Sequence, residues 1–140
     1  MIYYYANGEL GNQLFQYHFI AKNALPNENI VICGVDQLLN YYNLYYKIIH
    51  IPKKIKLFRG IGLLLSKLFN LLAQLGVITF IYPEKINYNI EDKLYIKDGS
   101  TIREKVGLLK NIKYIKSSNY SSDSLFDYKS DRYVKIREKV

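Results

Sequence analysis

The chain has 140 residues, 49% of them hydrophobic and 23% charged, the balance of one globular domain rather than a disordered tail. A domain of this size removes roughly 70% of its unfolded surface from water, so it can stand without covalent staples. One cysteine, Cys33, and two histidines, His18 and His50, exclude a disulfide framework and leave no pair at metal-ligand spacing, so neither structural zinc nor Cys-His catalysis is expected.

Residues 2–6, Ile-Tyr-Tyr-Tyr-Ala, are β-branched and aromatic and run into Asn7-Gly8, which predicts a buried first strand closed by a turn. Leu14, Phe15 and Phe19 then form an apolar stripe that passes His18 and continues to Ala21, Ala24 and Leu25, a helix ended by Pro26. Residues 29–34 form a short apolar run bounded by turn residues, the pattern of a second, fully buried strand. Strand, turn, helix and strand within about 33 residues make a βαβ unit, and a parallel sheet follows as the expected architecture.

Tyr41, Tyr42, Tyr45 and Tyr46 fall at helix-like spacing and read as core or interface aromatics. Residues 47–52 predict another strand, stopped by Pro52. Residues 56–75 follow as the longest helix, with Lys56, Arg59, Ser66, Lys67, Asn70 and Gln74 inside about 100° of arc and only Leu63 intruding. A bilayer-spanning segment over 60–82 is nominally long enough. The one-sided polar arc, and Gly76 leading into a β-branched run at 77–82, predict instead a helix packed on protein and then a strand, with a helix lying on a membrane surface as the alternative.

Beyond Pro83 the pattern predicts half-exposed strands at 93–97 and 111–116, with a loop or short helix between them and a loop over 117–123. Ser130-Asp131 could cap a last helix carrying Tyr133, Val134 and Ile136. No repeat or linker interrupts 1–140, so one domain is expected, and the closing residues, without turn or cap, read as a chain ending partway through its architecture. The opening has no basic n-region and Glu9 breaks its apolar run, so a cytoplasmic location is expected.

The charge of +8 is uneven: no Asp or Glu occurs between Asp36 and Glu84, where Lys47, Lys53, Lys54, Lys56, Arg59 and Lys67 lie. Such a segment can meet phosphates, acidic headgroups or a nucleotide-sugar pyrophosphate. Fifteen tyrosines could stack bases, but no RNP, KH or zinc-finger signature accompanies them, so nucleic acid is not an expected partner.

Chemistry concentrates in Gly8-Glu9-Leu10-Gly11-Asn12-Gln13-Leu14-Phe15-Gln16-Tyr17, where the first strand hands over to the first helix and where parallel α/β sheets bind ligands. Gly8 can take positive φ, Gly11 leaves backbone bare at the helix start, and Asn12 can cap the helix or offer its amide to a ligand oxygen. The dinucleotide and P-loop glycine patterns are absent. A plain glycine turn with an Asn cap and an anion-facing turn both fit the spacing.

This segment resembles the N-terminal signature of glycosyltransferase family 11, the bacterial α-1,2-fucosyltransferases: a strand, then Gly-Gly-Leu-Gly-Asn-Gln-Met/Leu-Phe-Gln-Tyr, then a helix. Glu9 stands at the second glycine and the other positions agree. Tyr120-Ser121-Ser122-Asp123-Ser124-Leu125-Phe126 loosely resembles a later segment, Tyr-Phe/Trp-Gln-Ser-Glu-Lys-Tyr-Phe, of the same enzymes. The resemblance implies an α/β, Rossmann-like parallel sheet flanked by helices, the N-terminal half of a GT-B-type glycosyltransferase. It implies transfer of fucose from GDP-fucose to a glycan hydroxyl in surface-polysaccharide synthesis, without metal or other cofactor. Gly8, Gly11, Asn12 and Gln13 would line the donor and acceptor side of the cleft. The family's His-x-Arg-Arg-x-Asp segment has no counterpart here, and neither His18 nor His50 lies in one, so no catalytic residue is assigned and a chain inactive alone is expected, its nucleotide-binding half being absent. The alternative is a non-catalytic membrane-surface or partner-binding protein that uses helix 56–75, peripheral at the inner face of the membrane.

Overall fold

The computed structural model describes residues 1–44, 46, 48–118 and 134–136, with backbone alone at 86, 97–100 and 134–136. β1 (Ile2–Tyr5) is inside a six-stranded sheet because both its faces are apolar. Ile2 and Tyr4 point to one side and Tyr3 to the other, and all three are buried. Two of these tyrosines keep a polar partner: the Tyr3 hydroxyl donates to the Gly62 carbonyl at 2.6 Å, and the Tyr4 hydroxyl donates to Ser118 at 2.8 Å. Burial pushes both phenols far above their ordinary pKa.

The expected βαβ unit is present as β1, α1 (Leu10–Asn23) and β2 (Ile30–Cys33), with β1 and β2 parallel and paired Ile2 to Ile30 through Tyr5 to Cys33. The chain continues through α2 (Asp36–Tyr41), β3 (Tyr42–Leu44), β4 (Ile48–Ile51) and α3 (Lys56–Gln74) to β5 (Ile78–Ile90), β6 (Lys93–Lys105), β7 (Leu109–Ile115) and β8 (Val134–Ile136). The large sheet has the order β4-β2-β1-β7-β5-β6, parallel except for β6 at one edge. α1 packs with Ile2, Tyr4, Ile30, Ile32 and Ile115 on one face, and α3 packs with Tyr3, Ile78 and Tyr114 on the other. The result is a mixed α/β fold with helices on both faces of a mostly parallel sheet.

Several expectations are corrected. Tyr41 ends a short helix and Tyr42 begins β3, so the tyrosines do not share one helix; Tyr45 lies outside the described residues. Pro83 does not stop β5, because the ladder to β6 shifts register between Pro83 and Lys85, and such an irregularity spares proline's missing N–H. The strands expected at 93–97 and 111–116 are present within β6 and β7, but β6 runs on to Lys105, so residues 106–108 alone separate them, and β5 and β6 form one long hairpin. Its two-residue turn is Glu91-Asp92, with φ of 51° and 63°, and no Asn-Gly marks it in the sequence. Val134 and Ile136 lie in a strand antiparallel to β3, not in a helix, since β3 offers an unpaired edge to an alternating β-branched segment. The proposed cap Ser130-Asp131, with Tyr133, and the whole 120–126 segment lie outside the described residues.

α3 is the protein-packed helix the sequence predicts, and Gly76, with φ of 78°, ends it before β5. Among the described residues no helix is long and apolar enough to cross a membrane. Its packed side, however, is the one with small residues. Gly62 and Ala73 are buried, whereas Leu57, Leu64 and Leu75 on another side are about seven-tenths exposed. A Cβ on Gly62 would stand 2.3 Å from the Cys33 sulfur, whereas one on Gly60 would meet nothing within 4 Å. Gly62→Ala is therefore expected to destabilise the protein by about 1–3 kcal/mol through overpacking, and Gly60→Ala to stabilise it by about 0.5–1 kcal/mol through helix propensity. Urea denaturation of the two variants checks this; shifts of the same sign would contradict it.

Candidate functional site at the end of the first strand

The parallel strands all end on one edge of the sheet, and the chain leaves β1 toward β2 on one side while β7 returns on the other. That reversal is the place where open α/β sheets form a crevice beyond the strand ends. The Asn7-Gly8 turn sits there, joined by Ser117 from the end of β7. The Ser117 hydroxyl donates to the Tyr5 carbonyl at 2.7 Å and accepts from the Asn7 amide at 2.5 Å.

Gly8 has φ of 76°, and a Cβ there would lie 2.4 Å from the Asn12 side-chain nitrogen, so the turn needs glycine for both backbone angle and space. The turn is held by two glutamines of α1. Gln16 is fully buried, and its amide both accepts from the Asn7 N–H and donates to the Asn7 carbonyl, each at 3.0 Å, as a neighbouring strand would. Gln13, also buried, donates to the Gly8 carbonyl at 3.1 Å and accepts from the Leu38 N–H at 3.0 Å, which satisfies an otherwise orphan donor at the start of α2. The Gln13 amide is thus engaged at both ends and orients the turn from within. Two glutamines three residues apart on one helix face were the signal for this clamp.

The outer side of the turn is open. Gly11 is exposed with nothing within 4 Å of a Cβ position, and Asn12 is half-buried with no hydrogen bond to its amide among the described residues. Asn12 is not the helix cap: α1 starts at Leu10, and the capping position belongs to Glu9, whose exposed side chain makes no capping bond. The first intrahelical bond runs from Gln13 N–H to Glu9, so the N–H groups of Leu10, Gly11 and Asn12 lack acceptors among the described residues. No acidic residue occupies the first turn of α1. Uncapped donors and the positive helix end together favour an anion.

In the sequence Lys53 belongs to a generic basic segment; the fold brings it to this edge. Its chain crosses Gly34, and its ammonium donates to the Ala6 carbonyl and stands 4.0 Å from the centre of the Tyr5 ring. Burial pulls the Lys53 ammonium below its ordinary pKa and pushes the Cys33 thiol up. The 53–54 loop is fastened by Asp36, which accepts from the N–H groups of Lys53 and Lys54 at 3.1 Å each. Burial pushes the Asp36 carboxyl up, but these two N–H groups and nearby His50 outweigh it and hold the pKa below the usual value. His50 Nε2 is 3.2 Å from Asp36 without a hydrogen bond between them, and burial, opposed by Asp36, lowers the imidazole pKa. His18 is buried against Tyr17.

Two clefts among the described residues lie away from the turn. One, of about 620 Å³, is bounded by Asn70, Gln74, the stacked Phe80 and Tyr82, Arg103 and Lys116. The other, of about 830 Å³, is at the opposite strand ends around Pro26, Glu28, Tyr46 and Ile49. None of the residues that bound these two clefts belongs to the Gly8–Gln13 turn.

Gln16→Leu is expected to cost about 1–3 kcal/mol, since it removes both bonds to Asn7, and to speed hydrogen exchange at the Asn7 amide. Unchanged exchange there would contradict the clamp. For pH, both relevant groups have folded pKa values below their unfolded ones, 6.5 for His50 and 3.8 for Asp36, so each contributes stability above the unfolded value that is lost as pH falls. Denaturation midpoints should decline below about pH 6.5 and again below about pH 4. His50→Gln should flatten the first decline and Asp36→Asn the second.

Compared with protein-family models, with curated proteins and with solved structures, the chain matches none.

Proposed function

We propose that the chain is the N-terminal, Rossmann-like part of a GT-B-type glycosyltransferase that moves fucose from GDP-fucose to a glycan hydroxyl in surface-polysaccharide synthesis. The observation that carries this reading is the outward face of the turn, where bare Gly11, the Asn12 amide and three N–H groups, none of them with a partner among the described residues, lie at the sheet's reversal point. Fucosyl transfer releases a nucleoside diphosphate, and negative charge grows on it as the glycosidic bond breaks. Neutral N–H donors fixed before the reaction stabilise that charge without reorganising.

In this reading Gly8 and Gly11 let the diphosphate approach the backbone, Asn12 donates its amide, and Gln13 holds the turn in shape behind them. Lys53, tied to Ala6 beside the turn, supplies positive potential. Glu9 is exposed and makes no capping bond to the N–H groups of α1. The acceptor glycan would lie along the same strand ends. A second reading, a non-catalytic partner-binding protein, is favoured by the exposed apolar side of α3.

Isothermal calorimetry of the chain with GDP-fucose tests the proposal. We expect weak binding, held by the diphosphate at the turn and so shared by GDP, and weakened about 5- to 30-fold further by Asn12→Ala, the loss of one hydrogen bond to a charged group. We expect no turnover of GDP-fucose with a galactoside acceptor by this chain alone. Absence of binding, or binding indifferent to Asn12, would remove the turn from the donor site.

A further inference from the structure

α3 has three sides rather than two. Gly62, Leu65, Phe69 and Ala73 lie against the sheet, and Lys56, Arg59, Lys67, Asn70 and Gln74 form the polar side. The third side carries Leu57, Ile61, Leu64, Leu68, Leu71 and Leu75, each between 41% and 70% exposed. These six fall within about 80° of arc at 100° per residue. Their spacing is four, three, four, three and four residues, the alternation of a coiled-coil seam, with leucine at every position of one heptad set and Ile-Leu-Leu at the other.

We infer that this stripe is the seat of a second copy of the chain, packed α3 against α3 about a two-fold axis. The spacing reads the same from either end, so the stripe is complementary to itself, which an isologous interface requires. Six side chains with this exposure offer on the order of 600 Å² per copy, about 1,200 Å² for a pair, which reaches the lower bound for a stable interface. Leu108, 85% exposed, extends the patch beyond Leu75, since its N–H donates to the Gly76 carbonyl at 3.0 Å.

Charge selects the same occupant. Of the positions that flank such a seam, Phe58, Leu65 and Leu72 on one side and Gly60, Lys67 and Gln74 on the other, only Lys67 is charged. Two copies of a chain with charge +8 can therefore approach here with little repulsion. A helix lying on an anionic membrane has a wider apolar face bordered by many basic residues, and this stripe is narrow with one flanking lysine.

Sedimentation equilibrium of the full chain at about 50 μM tests this, a concentration at which micromolar pairs are mostly associated. A dimer is expected, with its dissociation constant raised at least about 100-fold by Leu64→Glu and, independently, by Leu68→Glu. Both side chains are exposed in the single chain, so circular dichroism should show either variant folded. Lys67→Ala should leave the dimer intact. A monomer at that concentration would overturn the inference, as would a dimer indifferent to both glutamate variants. So would a monomer that floats with phosphatidylglycerol vesicles and loses this on Leu64→Glu, since the stripe would then belong to a lipid surface.

Discussion

The arrangement depends most on one buried amide. β1 ends its ladder when the Ala6 N–H donates to Cys33 at 2.8 Å, and the chain must then turn into α1 with the Asn7 N–H and carbonyl still to be satisfied. Gln16 satisfies both from inside the core, and Gln13 does the same for Gly8 and for the first turn of α2. An unpaired polar group there would be costly, so the glutamines fix the turn's path from behind. Its outer side presents the N–H groups of Leu10, Gly11 and Asn12, which lack acceptors among the described residues. The glutamines that build this turn are buried, whereas Gly8 and Gly11 face solvent.

The sheet sets where this turn lies and what surrounds it. β1 and β7 are neighbours in the sheet yet far apart in the chain, and the crevice at their ends is completed by Ser117 on one side and by the 53–54 loop on the other. Asp36 fastens that loop through the backbone N–H groups of Lys53 and Lys54, and its negative charge also acts on the Lys53 ammonium. Lys53 is drawn to the carbonyl end of β1 and over the Tyr5 ring, and a basic loop otherwise open to water becomes part of the same edge.

Much of this was legible in the residues. β1, α1, β2, β4 and α3 follow directly from apolar runs and periodicity, and the doubly apolar first strand already called for layers on both sides. The β5–β6 hairpin was not legible, since its turn is Glu91-Asp92 and Pro83 reads as a stop until a register shift accommodates it. In α3 the apolar pattern alone could not say which of two apolar sides meets the sheet. Gly62 and Ala73 could have, because small residues mark the side where a helix approaches closely. Gly8 and Gly11 were readable as a turn and a bare helix start. The bond from Gln13 to Leu38 and the arrival of Lys53 were not, because both depend on contacts between elements far apart in the chain, α1 with α2 and the 53–54 loop with β1.

Diphosphate binding at this edge would rest on the outward N–H groups at the start of α1. The most direct measurement is the backbone amide spectrum of the isotopically labelled chain during addition of GDP-fucose. The account predicts that resonances of Gly8, Gly11 and Asn12 move first and saturate together while those at the opposite strand ends, near Glu28 and Tyr46, stay in place. Movement confined to the opposite ends, or none at all, would contradict it.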